Sequence, residues 1–135
     1  MPPLRYRALA HTADMRLMAW GEDERALLAN AVAGVLSTAL GTRARGAAER
    51  WSPVPSWPRE PAHRLVATVN EALYHLYVRR AVVVGVRMRG NRAWLGLVDL
   101  PAHSRPRAEI KAATFHDLAL ERRGGRLRAV LTLDL

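Results

Sequence analysis

Position 111 holds the only lysine in a chain whose other 20 basic residues are all arginine. An ammonium is a compact, strongly hydrated point charge on a flexible stem; a guanidinium is a rigid planar fork. Where arginine is the default cation, a lone lysine either marks a place the fork cannot fill or is a chance residue on a solvated strand. In Glu109-Ile110-Lys111-Ala112 the charged residues alternate with apolar ones. As a strand, this puts Glu109 and Lys111 on one face, where they bracket a polar site or neutralise each other. A carboxylate stands near each end of the sequence. Asp134 follows a run in which Leu127, Ala129, Leu131, Leu133 and Leu135 alternate with Arg126, Arg128, Val130 and Thr132. A side-chain period of two turns the leucines inward and Asp134 outward with Thr132 and Arg128. The sequence stops at Leu135, so Asp134, the Leu135 carbonyl and a terminal carboxylate are expected close together. That is a cluster of hard oxygens, or simply a solvated strand end. Asp14 closes His11-Thr12-Ala13-Asp14, between two strand-like runs. It makes an Asx-type turn or offers its carboxylate to a metal or partner; His11 is a ligand or a structural hydrogen-bonding group. No nucleophile elbow, zinc-protease helix or phosphate-cradling glycine loop accompanies these residues. The chemistry on offer is therefore binding, with no catalytic residue to assign.

These residues have to be held by a fold. Leu4 to Leu9 and Met15 to Trp20 read as strands, the second closed by Gly21. A helix is predicted from Asp23 to Leu40, with Leu28, Val32, Val35, Leu36 and Ala39 at three-and-four spacing. Its start is acidic (Glu22, Asp23, Glu24), and Gly41 terminates it. Between 42 and 60, Pro53 and Pro55 restrict any strand near Trp51 to a sheet edge. A second helix is predicted from Pro61 to Arg80, burying Leu65, Val69, Leu73, Leu76 and Tyr77. Strands follow at Val82 to Arg89 and Ala93 to Asp99, joined at Gly90-Asn91 in a two-residue hairpin. Further strands are expected at Arg107 to Ala113, Phe115 to Glu121 and, after Gly124-Gly125, Arg126 to Leu135. No repeat or linker divides residues 1–135, so the expectation is a single α+β domain: a largely antiparallel sheet with two main helices packed against it.

Bulk properties narrow the function classes. With 135 residues, half of them hydrophobic, the chain is long enough for one unaided core. The absence of cysteine removes disulfides, thiolate zinc sites and thiol nucleophiles, and fits a reducing compartment. No signal peptide or bilayer-spanning run is visible, so a soluble, cytoplasmic protein is expected. The formal charge of +9 favours RNA or an acidic partner surface. The arginines are scattered, however, and the many alanines beside them suggest codon bias as a simpler cause.

Four segments in order are similar to the archease family: His11-Thr12-Ala13-Asp14, Asn70-Glu71-Ala72-Leu73-Tyr74, Glu109-Ile110-Lys111-Ala112 followed by Thr114-Phe115-His116, and Leu133-Asp134-Leu135. The resemblance spans essentially the whole chain. It implies a non-catalytic activator of RtcB-class RNA ligases, which rejoin RNA ends in tRNA splicing and repair through a guanylylated histidine. The activator promotes that guanylylation and multiple turnover, meeting RNA only indirectly and having no small-molecule substrate of its own. The resemblance further implies a divalent-metal site, usually calcium, with Asp14 and Asp134 as carboxylate ligands and the Leu135 main-chain oxygen as a third. Lys111, His11 and Glu109 would be functional residues beside it. The chain departs from the family pattern in being basic where archeases are usually acidic. Met15 stands where valine is commoner and Phe115 where tyrosine is. Pro53, Pro55 and Pro58 occupy what is often a regular strand. Two other classes predict different behaviour: a basic RNA-binding module would bind RNA alone with strong salt dependence, and a general chaperone would need a large exposed apolar patch.

Overall fold

The protein is described from a computed structural model covering residues 5–9 and 14–135, with the backbone alone at Leu9 and 115–119. His11, Thr12 and Ala13 lie outside the described residues, as does Leu4 of the predicted first strand. The order is β1 (Tyr6–Leu9), β2 (Met15–Gly21), α1 (Glu24–Leu40), β3 (Arg50–Pro53), α2 (Pro61–Tyr77), β4 (Ala81–Arg89), β5 (Arg92–Asp99), β6 (Ala112–Arg123) and β7 (Arg126–Asp134). All described pairings are antiparallel. They fall into two sheets, a four-stranded one ordered β1-β2-β7-β6 and a three-stranded one ordered β3-β5-β4. The α+β class expected from the sequence is the one observed, with the strands divided between two sheets.

Helix α1 packs on β2 of the first sheet and on β4 of the second. It therefore buries more than the single stripe its periodicity suggests: Leu27 and Ala31 are as covered as Leu28, Val32, Val35, Leu36 and Ala39. A helix apolar nearly all round is stable only with apolar neighbours on more than one side. Asp23 caps its first turn, accepting from the Ala26 N–H at 2.8 Å. Gly41 ends it in the left-handed region (φ 77°), its N–H returning to the Ser37 carbonyl at 2.8 Å. At Gly34 the helix lies so close to β1 that an added Cβ would come 2.7 Å from the Tyr6 ring. That glycine sets how closely the helix and the sheet approach.

Helix α2 is three residues shorter than the spacing predicts. It stops at Tyr77, and Arg79 and Arg80 lie beyond it, Arg80 with φ 53°. Beyond the helix the Arg80 guanidinium donates to the Pro101 and Ser104 carbonyls, at 3.1 and 2.9 Å. Proline confines β3 to four residues at the edge of its sheet, where the missing N–H groups face away from the ladder. Both two-residue hairpins form: Gly90 and Asn91 each have φ 61°, and Gly124 and Gly125 have φ 58° and 76°. Paired positive φ values suit the right-handed twist of the flanking strands.

One expectation is corrected. Residues 107–111 are not a strand, and β6 is a single strand beginning at Ala112. The proposed break at Thr114 is instead a register irregularity between Thr114 and Ala119.

His75, in the last turn of α2, is 9% exposed, with its Nε2 3.2 Å from the Glu71 carboxylate. Burial holds its pKa below the ordinary histidine value; Glu71 opposes that shift, while Arg79 and Arg50 add to it. Below about pH 6.5 the unfolded chain takes up this proton more readily than the folded one. Stability contributed by neutral His75 is therefore present above that pH and is lost as the pH falls. Urea denaturation followed from roughly pH 7 to pH 5 should show a declining unfolding free energy, and His75→Gln should flatten that decline.

Candidate functional site

The site is assembled around the end of β7, which is paired on both sides within its sheet. Met15 of β2 pairs with Leu133, so the preceding residue, Asp14, comes alongside Asp134. On the other side Ala112 of β6 pairs with Asp134. Directly opposed residues in an antiparallel ladder have Cα atoms about 4.5–5.5 Å apart and project to the same face. Leu131 and Leu133 are 1% and 0% exposed on the core face, whereas Asp134 is exposed. The two aspartates, 120 positions apart in sequence, thus flank the last pair of the β2–β7 ladder at one end of the sheet. Leu135 follows, half exposed. Lys111 joins them by its backbone, its N–H donating to the Asp134 carbonyl at 2.7 Å.

Lys111 and Glu109 are held there by α2 as well as by that backbone bond to β7. Asn70 clamps Ala113 from both sides: its Nδ2 donates to the Ala113 carbonyl at 3.1 Å and its Oδ1 accepts the Ala113 N–H at 2.7 Å. One helical face further along, the Tyr77 hydroxyl donates to the Ala108 carbonyl at 2.8 Å and accepts the Ile110 N–H at 2.9 Å. Ile110 is fully buried, and Glu109 and Lys111 beside it are exposed. The alternation read from the sequence survives as alternating burial, although the segment lacks a ladder. Burial pushes the Tyr77 hydroxyl above its ordinary pKa, with the Ile110 N–H opposing that shift and the Glu109 charge adding to it. The hydroxyl therefore stays a neutral donor to Ala108.

Asn70 and Tyr77 were not singled out as site residues from the sequence, where Tyr77 read as core and Asn70 as part of a motif. The available signal was a carboxamide interrupting an apolar helical stripe, since a buried amide requires partners for both its ends.

The structure brings together Asp14, Lys111, Asp134 and Leu135, with Glu109 two residues away on the pinned segment. His11 lies outside the described residues. Asp14 already has an interaction within the chain. Arg16, two residues along β2 on the same outer face and opposite Thr132, has a buried Nε with no hydrogen bond among the described residues. No group of three or more His, Asp or Glu side chains that could hold a metal occurs among the described residues. A cation here would draw on two carboxylates and main-chain oxygens. Such donors suit a hard ion such as Ca²⁺, which takes oxygen ligands and readily fills the rest of its shell with water.

Because Ala113 is buried, losing the Asn70 clamp strands a donor and an acceptor away from water. Asn70→Ala should destabilise the fold by about 1–3 kcal/mol, and should speed hydrogen exchange at the Ala113 amide by more than that at Leu131. Equal acceleration at both amides would show global loosening and no local clamp.

Comparison with known proteins agrees with the fold built here. The chain superimposes on the crystal structure of an archease, described as a possible chaperone, from Thermotoga maritima: TM-score 0.65, 22% identity, 96% of each chain covered. It matches the solution structure of a Methanobacterium thermoautotrophicum protein with TM-score 0.70 and 22% identity, over 98% of this chain and 100% of that one. In sequence it is 28% identical over 142 residues to the protein archease of Methanosarcina mazei, covering 97% of this chain and 96% of that protein. The profile of the archease protein family matches residues 6–135, almost the whole polypeptide and every described residue of the site, and this chain belongs to that family.

Proposed function

We propose that this protein is the activating partner of an RtcB-class RNA ligase, promoting ligase guanylylation and repeated turnover in tRNA splicing or RNA repair. It acts as a protein cofactor in the cytoplasm and performs no chemistry of its own. The observation that supports the reading is membership of the archease family, with the β2–β7 ladder ending at Met15 and Leu133, next to Asp14 and Asp134.

In this reading Asp14 and Asp134 hold a divalent cation, Ca²⁺ by preference, with the Leu135 main-chain oxygen as a further donor. The ion would supply a concentrated positive charge at the sheet end, to which an anionic group of the partner is drawn. Lys111 adds a flexible ammonium on the same edge, and Glu109 balances it. Asn70 and Tyr77 keep that edge rigid, so that these charges present one fixed pattern to the ligase. No helix among the described residues is long and apolar enough to cross a membrane.

The test is a guanylylation assay with purified ligase, GTP and a divalent ion. Wild-type protein should accelerate formation of the ligase–guanylate adduct. Asp14→Ala and Asp134→Ala, each checked for folding by circular dichroism, should lose most of the stimulation, and Lys111→Ala should lose it in part. Calorimetric titration with Ca²⁺ should show one site in the wild type and none in either aspartate variant. Full stimulation by both folded aspartate variants would overturn the assignment.

A further inference from the structure

The far end of the same sheet face carries features that the ligase reading does not use. Helices α1 and α2 cover the inner face of the four-stranded sheet, packing on β2 and β6. The outer face has no described element packed on it. Along β2 it presents Met18 and Trp20, which pair across the ladder with Val130 and Arg128. At the β6–β7 hairpin Arg123 pairs with Arg126, on the face shared with Arg128. Met18, Trp20, Arg123, Arg126 and Arg128 line one open hollow of about 380 Å³. Arg123 and Arg126 are exposed and take part in no ion pair or hydrogen bond among the described residues. The nearest carboxylate, Glu121, is spent on Arg128 at 2.9 Å. Asp134 lies six positions from Arg128 along β7, about 20 Å away at the usual rise.

The indole is the discriminating feature. Arg87 lies 3.7 Å over the Trp51 ring and Arg64 lies 5.5 Å over Trp57, so those faces are already stacked by the chain's own cations. Trp20 and Trp94 have no such cover among the described residues, and of the two Trp20 lines the arginine hollow. A partly exposed indole beside three arginines on this sheet face suits an unpaired base flanked by phosphates.

We infer that this hollow binds single-stranded nucleic acid directly, with Trp20 stacking a base and Arg123 and Arg126 contacting phosphates. The inference goes beyond the ligase reading by adding a direct RNA contact that the family resemblance does not imply, and that contact needs no ligase.

The experiment measures fluorescence anisotropy of a labelled 12-nucleotide RNA with the full chain alone, from about 50 to 200 mM salt. Arg123→Gln/Arg126→Gln should weaken binding at least tenfold and flatten the logarithmic salt slope by roughly 1.4, about 0.7 for each phosphate no longer neutralised. Arg89→Gln/Arg105→Gln removes equal charge from exposed positions elsewhere and should change affinity less than threefold. Trp20→Ala should weaken binding roughly tenfold, while Trp20→Phe keeps most of it. The inference fails if wild type does not bind at 50 mM salt, or if both arginine pairs weaken binding equally. It also fails if folded Trp20→Ala binds like wild type, or if duplex RNA or poly-glutamate competes as well as the single strand. Should Trp20→Ala not fold, Trp20→Phe and the two arginine pairs decide the matter.

Discussion

Everything at the candidate site depends on β7 being an interior strand. Its ladder with β2 brings Asp14 alongside Asp134, and its ladder with β6 brings Ala112 and the Lys111 backbone to the same end. Antiparallel pairing has a period of two, so a slip of one residue would turn Asp134 toward the core and Leu133 toward solvent. The buried leucines of β7 therefore do more than stabilise the sheet. By holding the register, they determine which carboxylates meet.

The second constraint is that an irregular segment has to be as well fixed as a strand. Residues 107–111 have no ladder, and an unpaired backbone beside a core is costly unless side chains satisfy it. Tyr77 does so at Ala108 and Ile110, the Ala39 and Asp134 carbonyls accept from the Arg107, Ala108 and Lys111 N–H groups, Asn70 holds the adjoining Ala113 of β6, and Ile110 supplies the apolar anchor. Helix α2 thus serves the site through its polar side chains as well as its apolar stripe. The charged groups Glu109 and Lys111 project from a segment whose main chain is tied on both flanks.

The sheet's outer face is also electrically divided. Carboxylates stand at the end where β2 begins and β7 finishes, and arginines with a partly exposed indole stand at the hairpin end. A surface divided in this way presents opposite charges to one partner at two places, which favours a single docking orientation. It also shows why a formal charge of +9 says little by itself. Arg87, Arg64, Arg50 and Arg92 are engaged with tryptophan rings, a carboxylate or backbone carbonyls, so the number of arginines is not the number available to a ligand.

Local patterns were enough to place most of the elements. Alternating leucines identified β7 and the outward direction of Asp134; three-and-four spacing located both helices; Gly-Asn and Gly-Gly located the hairpins. Each of these is set by contacts among near neighbours in sequence, where periodicity carries the information. Four short motifs were also enough to point to the archease family, because their order and spacing are specific even when each alone is not. What lay beyond local reading was decided by packing. Alternation in 107–111 looked like a strand because burial of Ile110 between two charged residues has the same period whether or not a ladder exists. The burial of Leu27 and Ala31 as well was missed by reading a single stripe in α1, which packs on elements of both sheets. The far end of α2 was placed at Arg80 because Arg79 and Arg80 suit a helix terminus, whereas the helix stops at Tyr77 and Arg80, at φ 53°, bonds to the 100–104 segment. The meeting of residues 14, 111 and 134 depends on strand order, which is fixed by which apolar faces can be covered together. That is a property of the assembled core, and no segment contains it alone.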